Sequence, residues 1–260
     1  MKFRREHAEG GNRWRCVLSY LGVALFWLLV WEGCAKLVNR SLLLPDPIAV
    51  FRHLAALLPQ LSFWQTTGST LVRILIGWLA GCLVGGLLAG LTWRWRVADR
   101  LLSPAFTVIR ATPVASFILI AIVWMGAGRV PSFTSFLMVL PIVWGTTRAA
   151  LQGMDQKLYE VTTVFRFSPA RRMRYLYLPT AMPGFLSGCV TSVGLGWKAG
   201  VAAEVLCATK QSIGRYLYES KIYLETADLF AWTLVVIVMS MILEWLIRTA
   251  AYAVKGRKSS

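Results

Sequence analysis

Acidic side chains are scarce in this chain for its size. Its 260 residues hold 12 Asp and Glu against 28 Lys and Arg, a formal charge of +16. Histidine is rarer still: His7 lies in the N-terminal tail and His53 in a loop, so no intramembrane histidine is left for a proton relay. The five cysteines, Cys16, Cys34, Cys82, Cys189 and Cys207, show neither Cys-x-x-Cys spacing nor a histidine cluster beside them. That argues against a metal centre and leaves them as small packing residues. No glycine-rich loop ending in Gly-Lys-Ser/Thr is present to cradle ATP phosphates, and no catalytic constellation appears. The chain is therefore expected not to be an enzyme, and any energy source must sit on another subunit.

What the chain has in excess is apolar surface. Hydrophobic residues make up 57% of it, and mean hydropathy is +0.57. Several apolar runs approach the roughly 20 residues with which a helix crosses about 30 Å of hydrocarbon. We expect an all-α polytopic membrane protein with about six transmembrane helices, near Cys16–Val38, Thr67–Trp93, Thr112–Met125, Pro131–Leu151, Pro179–Cys207 and Asp228–Ala253. The run Val17–Trp31 follows a basic cluster, as a secretory signal would. It lacks a small-residue cleavage site and further spans follow, so it reads as a retained first helix.

The basic charge alternates between connections. Tails and even-numbered loops hold 18 Lys and Arg, odd-numbered loops hold six, and Lys36, Arg73, Arg110 and Lys198 fall inside spans. Such a bias sets orientation, with the basic side inside. Both termini and the polar segment near residues 152–179 should face the cytoplasm. The charge is then topology and contact with anionic membrane lipid rather than nucleic-acid binding. The organisation expected is a basic cytoplasmic tail at 1–15, a transmembrane domain at 16–253 and a cytoplasmic tail at 254–260.

Glu32 and Lys36, one turn apart, should pair locally. Two prolines in Leu-Pro-Asp-Pro mark the way into an external amphipathic segment at about Ile48–Leu58. Gly77, Gly81 and Gly85 recur every four residues, with Gly86 to Gly90 continuing the theme. Such spacing lets helix backbones approach closely and makes the second span central. Arg110 would cost several kcal/mol at mid-bilayer. The cheaper arrangement lays Leu101–Ile109 along the interface, lets Arg110 snorkel to phosphate and starts the crossing near Thr112 with Pro113 in its first turn. In the fifth span Lys198 follows Trp197, and Glu204 lies six residues beyond Lys198, too far around the helix for the two charges to pair. Two readings stay open: they are satisfied by other helices or the interface, or they line a translocation path. The loop Ala208–Thr226 either meets an external partner, closes over a pore or lies on the membrane.

The polar interruption between Gln156 and Phe185 has its own punctuation. Ser168 can cap a helix and Pro169 suits its first position, so two short helices meeting at a corner are expected. Glu160 followed by Leu178-Pro179 some eighteen residues on resembles the EAA loop of ABC-importer permeases. In that pattern Glu-Ala-Ala is followed by a Gly six residues after the Glu and then by Leu-Pro. Leu44-Pro45-Asp46-Pro47, Ser69–Gly77, Arg110-Ala111-Thr112-Pro113 and Gly194–Glu204 look like the nitrate/sulfonate/taurine-type permeases, and the resemblance spans about Leu44–Trp245. Val161 and Thr162 stand where the family has alanines, at a cost of tenths of a kcal/mol in helix propensity. Arg166 stands where it has glycine, which puts the corner turn and docking affinity in question.

The resemblance implies a type I ABC-importer transmembrane domain with no cofactor in this chain, ATP and Mg being held by a partner ATPase. It implies a coupling helix that inserts into a groove of that ATPase through Glu160, Val161, Thr162, Phe165, Arg166, Phe167, Ser168, Leu178 and Pro179. It also implies a second permease copy and an extracytoplasmic solute-binding protein in a bacterial cytoplasmic membrane. The translocation path is expected to draw on Arg73, Arg110, Pro113, Trp197, Lys198 and Glu204. The solute is expected to be small, an anion such as a sulfonate or nitrate being one reading and an aromatic vitamin precursor another. The rival class is a secondary transporter or channel subunit without an ATPase. It would need ion-coupling residues or inverted repeats, which the sequence does not show.

Overall fold

In the computed structural model residues 6–256 are described, with side chains from 22 to 253. The basic cluster at residues 2–15, Cys16 and the tail 254–260 lie outside the described side chains. The elements in chain order are α1 (Glu6–Val38), α2 (Pro47–Leu57), α3 (Leu61–Arg94), α4 (Arg96–Ala111), α5 (Val114–Met125), α6 (Val130–Gln152), α7 (Gln156–Val164), α8 (Pro169–Arg172), a π-helical stretch Met173–Tyr177, α9 (Leu178–Cys207), α10 (Ile213–Ile222) and α11 (Thr226–Gly256). No strand occurs among the described residues.

Among the described residues three helices are long and apolar enough to cross a membrane: Leu61–Arg94, Val130–Gln152 and Thr226–Ala253; the expected first span begins outside the described side chains. The pair α4 and α5, bent by 105°, makes a fourth if taken as one span. The sequence expectation of about six is thus met in part by this measure. Helix α9 has the length, at 30 residues, but glycine, serine, threonine and two charges dilute its apolar run. Its buried positions face protein, so it has less need of an apolar surface than a helix bathed in lipid.

The chain divides into two compact units, Met1–Gln60 with Glu219–Thr233 and Leu61–Tyr218 with Leu234–Ser260. In the smaller, the Trp31 indole donates to the Pro45 carbonyl at 3.2 Å and its ring lies 5.8 Å from that of Phe230. Thr226 donates to the Leu42 carbonyl at 2.7 Å. Glu32 and Lys36 form the expected local pair at 3.0 Å. Pro47 opens α2, where a missing amide hydrogen costs nothing.

In the larger unit α6 is the centre, packed most extensively on α9 and α3. Glycine is why. A Cβ at Gly77 would overlap the Ser132 carbonyl, one at Gly81 would lie 2.9 Å from Val139, and one at Gly85 would lie 2.9 Å from the Leu140 carbonyl. From the other side, a Cβ at Gly184 would lie 2.5 Å from Ala150 and from the Thr146 carbonyl. Lipid offers helices no hydrophobic drive to associate, so close backbone approach supplies the dispersion contacts instead. The theme stops at Gly90, which has nothing within 4 Å, contrary to the expectation that it continues there.

Pro113 stands at the N-cap of α5, just before the helix, and the break between Ala111 and Val114 sits where the sequence placed it. Arg110 does not reach for phosphate as expected. It donates to the Pro141 carbonyl of α6, beside Gly145, where a Cβ would lie 2.7 Å from the guanidinium. The residue stays exposed, so it meets this main-chain acceptor without being buried.

Candidate functional site

Two constellations stand out in the larger unit, at opposite ends of the long helices. Arg73 to Arg94 spans 21 residues of α3, about 32 Å at 1.5 Å per residue.

At one end is the elbow. Asp155 caps α7 by accepting the Lys157 amide at 2.8 Å, and Ser168 caps α8 by accepting that of Arg171 at 3.4 Å, with Pro169 in the first turn as expected. Between them the chain closes a Schellman turn: the Arg166 amide bonds the Thr163 carbonyl at 3.0 Å, and the Phe167 amide bonds that of Thr162 at 2.9 Å. Arg166 occupies the left-handed position of this turn at φ 47°. The corner, at a position that favours glycine, is kept here with arginine, two main-chain hydrogen bonds holding it against the Cβ clash. Arg172 braces the angle from within. It donates to the Thr162 carbonyl at 3.4 Å and the Thr163 hydroxyl at 3.3 Å, and its guanidinium lies 5.4 Å from the Tyr159 ring centre.

The elbow leaves an apolar face uncovered. Leu158, Val161 and Phe165, spaced three and four residues apart, share one side of α7, and Phe165 is 71% exposed. Glu160 and Arg166 are exposed beside them, with Ser168, Leu178 and Pro179 also accessible. Thr162 faces inward, buried with its hydroxyl on the Tyr159 carbonyl at 2.7 Å, and Phe167 is half-buried. Pro179 follows the π-helical stretch, where the Leu178 amide reaches back five residues to the Met173 carbonyl. The wider turn accommodates a ring that has no amide hydrogen and would crowd a preceding carbonyl.

A glycine at position 166 fits the left-handed turn without a Cβ penalty of about 1 kcal/mol. Arg166→Gly should therefore slow hydrogen exchange in the peptide containing Arg166 and Phe167 by about fivefold. Unchanged or faster exchange would show that arginine is not strained there.

At the other end, Glu204 of α9 is fully buried. Its carboxylate accepts from Arg73 at 2.5 Å, from the Thr70 hydroxyl at 2.9 Å and from the Gly214 amide at 3.3 Å. Thr70 in turn accepts the Ile213 amide at 3.0 Å, and Ser212 caps the same helix start by accepting the Arg215 amide at 3.1 Å. The carboxylate thus meets the positive end of α10 and an arginine together. Gly214 is obligatory for the approach, because a Cβ there would overlap Glu204.

Of the residues expected along a path, Glu204 and Trp197 are satisfied by other helices, Trp197 through its indole on the Val236 carbonyl at 3.0 Å. Arg73 is committed to Glu204, Arg110 to Pro141, and Pro113 and Lys198 are exposed. The structure brings together Arg73 and Glu204 alone of the six. Sequence reasoning missed Thr70, Gly214 and the brace Arg172. It also missed the pair Asp99 and Arg148, 2.6 Å apart, which ties α4 to α6. Only the small residue at 214 left a trace in the sequence, and it was not specific.

A family profile described as "Binding-protein-dependent transport system inner membrane component" matches residues 81–256. The taurine transport system permease protein TauC of Escherichia coli is 26% identical over 247 residues, covering 89% of this chain and 88% of that protein. The bicarbonate transport system permease protein CmpB of Synechococcus elongatus is 26% identical, covering 82% of this chain and 81% of its own length. The chain also superposes on a bacterial ABC transporter involved in the import of the acidic polysaccharide alginate, with a TM-score of 0.61 at 15% identity over 96% of this chain and 99% of that one. An amino acid ABC transporter gives 0.59 at 18% identity, over 75% of this chain and 94% of the other. Those structural likenesses carry the fold, that of ABC-importer transmembrane domains. The profile and the relatives carry the role: a transmembrane subunit without an ATPase domain or cofactor, working with ATPase and binding-protein partners. A secondary transporter or channel lacking such partners is thereby set aside. The chain belongs to the family of binding-protein-dependent transport system inner membrane components, as a multi-pass permease subunit of an ABC importer.

Proposed function

We propose that the elbow at residues 152–179 is the lever through which a separate ABC ATPase, holding ATP and Mg, drives this subunit. The observation that supports it is the uncovered apolar face of α7, flanked by Glu160 and Arg166 and held at a fixed angle by the Schellman turn and Arg172. A short amphipathic helix with such a face suits a groove on a partner. Val161, Phe165 and Arg166 would make the contact with Glu160, while Thr162, Phe167, Ser168, Leu178 and Pro179 hold the helix in place and pass its tilt into α9. The elbow, both termini and the tails 1–15 and 254–260 lie on the cytoplasmic side of a bacterial inner membrane, in keeping with the basic loops. The basic charge meets lipid headgroups, not nucleic acid.

Two copies of the chain, each with its transmembrane domain at 16–253, enclose the path. Lys198, exposed on α9, faces it in this reading, with Arg110 and Pro113 near the inner break, Trp197 held on the Val236 carbonyl and the Arg73–Glu204 pair framing its outer end. The segment Ala208–Thr226 receives a solute-binding protein. The solute is a small anionic or zwitterionic molecule, a reading supported by relatives named for taurine, aliphatic sulfonates and bicarbonate.

Charge reversal at the exposed acid tests the lever. Glu160→Lys should lower recovery of the ATPase with the purified permease about tenfold, or about 1.4 kcal/mol, and reduce ATP-dependent uptake into vesicles in step. Full recovery together with full uptake would remove the elbow from the coupling route.

A further inference from the structure

Between the elbow and the bundle, within the larger unit, lies an open groove of about 1120 Å³. Its two ends differ in chemistry. Gly86, Leu87 and Gly90 of α3 and Ala181 of α9 make the apolar end, where Gly90 leaves open space and Leu87 belongs to the exposed stripe Val72, Ile76, Leu79, Leu83 and Leu87. The other end holds Trp93, Arg94, Tyr159 and Arg172. Trp93 stands edge-on to Tyr177, their centroids 4.8 Å apart, as aromatic side chains do at a membrane interface. From Gly86 to Arg94 is eight residues of helix, about 12 Å, so the groove runs from hydrocarbon depth to the headgroup zone.

The charge at that end has one sign: Arg94 is exposed, and Arg172 is half-buried with its Nη2 on the elbow. Arg94 and Arg172 add positive charge and no acid lines the groove.

We infer that this groove binds an anionic phospholipid, its phosphate between Arg94 and Arg172 and its acyl chains over Gly90 and Gly86. A lipid seated there spans the elbow and the ends of α3 and α9, so it stiffens the angle at which the lever meets the bundle. Basic pockets between transmembrane helices are suited to such headgroups. The inference rests on the orientation proposed above only for which leaflet supplies the lipid.

The test uses the intact transporter with its ATPase subunits. It is reconstituted in phosphatidylcholine vesicles with and without phosphatidylglycerol, then extracted and weighed by native mass spectrometry. Phosphatidylglycerol should stay bound in preference to phosphatidylcholine. Arg94→Gln should lower its retention about fivefold. Arg100→Gln, which removes the same charge outside the groove, should leave it unchanged. Equal losses for Arg94→Gln and Arg100→Gln, or no selective retention in the parent, would overturn the site. Displacement by inorganic phosphate would overturn the lipid in favour of a free anion. Should Arg94→Gln fail to assemble, the choice of the parent between the two lipids decides. Retention is read without regard to sidedness, whereas cysteine labelling at the elbow reports orientation, so failure of one leaves the other standing.

Discussion

Arg73→Met should cost the folded subunit about 3–5 kcal/mol, because it leaves the Glu204 carboxylate buried without its counter-charge. The loss should register as a marked fall in the thermal unfolding midpoint of the purified transporter. Glu204 is fully buried, and its two other donors, Thr70 and the Gly214 amide, are neutral. They cannot replace an arginine at 2.5 Å. Removing both charges should be far milder than removing one: Arg73→Met combined with Glu204→Leu should recover much of the midpoint, since an apolar pair has no uncompensated ion to desolvate. Glu204→Gln should fall between, as an amide oxygen can still accept from Thr70 and from the start of α10. If the double variant is as unstable as Arg73→Met alone, the cost lies in packing and not in the ion pair.

The second large effect is expected at Gly77. Alanine there puts a methyl group on the Ser132 carbonyl, which is backbone and cannot swing away. Helices α3 and α6 must part, and two bonds between them lengthen: Ser132 to the Arg73 carbonyl at 2.7 Å and Ser135 to that of Ile74 at 3.2 Å. Overpacking of this kind costs about 1–3 kcal/mol, and the upper end applies where the obstacle is main chain. Gly68 in the same helix has nothing within 4 Å, so Gly68→Ala should do the opposite and add up to about 1 kcal/mol of helix propensity. Unfolding midpoints of the two variants should move in opposite directions. Equal behaviour would mean that α3 and α6 do not approach at Gly77 as closely as described.

The elbow was legible because its determinants are local. Ser168 and Pro169 specify a helix start through atoms three residues away, whereas the Asp155 cap of α7 came only with the structure. The glycine ladder of α3 was legible for a similar reason, since a period of four marks one helix face whatever lies opposite. The same reasoning overreached at Gly90, which has nothing within 4 Å although Ala89 and Thr92 on either side still pack on Trp144 of α6, so position 90 looks away from that helix. It also misjudged the reach of Arg110: the sequence contains the charge and the break at Pro113, but not the carbonyl of Pro141 that the fold brings within reach. Arg166 is a further case. Propensity argued against a left-handed arginine, yet the hydrogen bonds of Phe167 and Arg166 to α7 hold it there.

By itself the amino-acid order determined that this chain lives in a membrane and that a capped polar corner interrupts its spans; composition and short-range hydrogen bonding decide those matters within a few residues. Tertiary structure alone decided which charges are spent inside the bundle and which stay free. Glu204 lies 131 residues from Arg73 and 134 from Thr70, and no local periodicity links them. A buried ion finds its partner through packing of α3, α9 and α10 in space. That choice follows from the high cost of leaving a charge unpaired in an apolar interior.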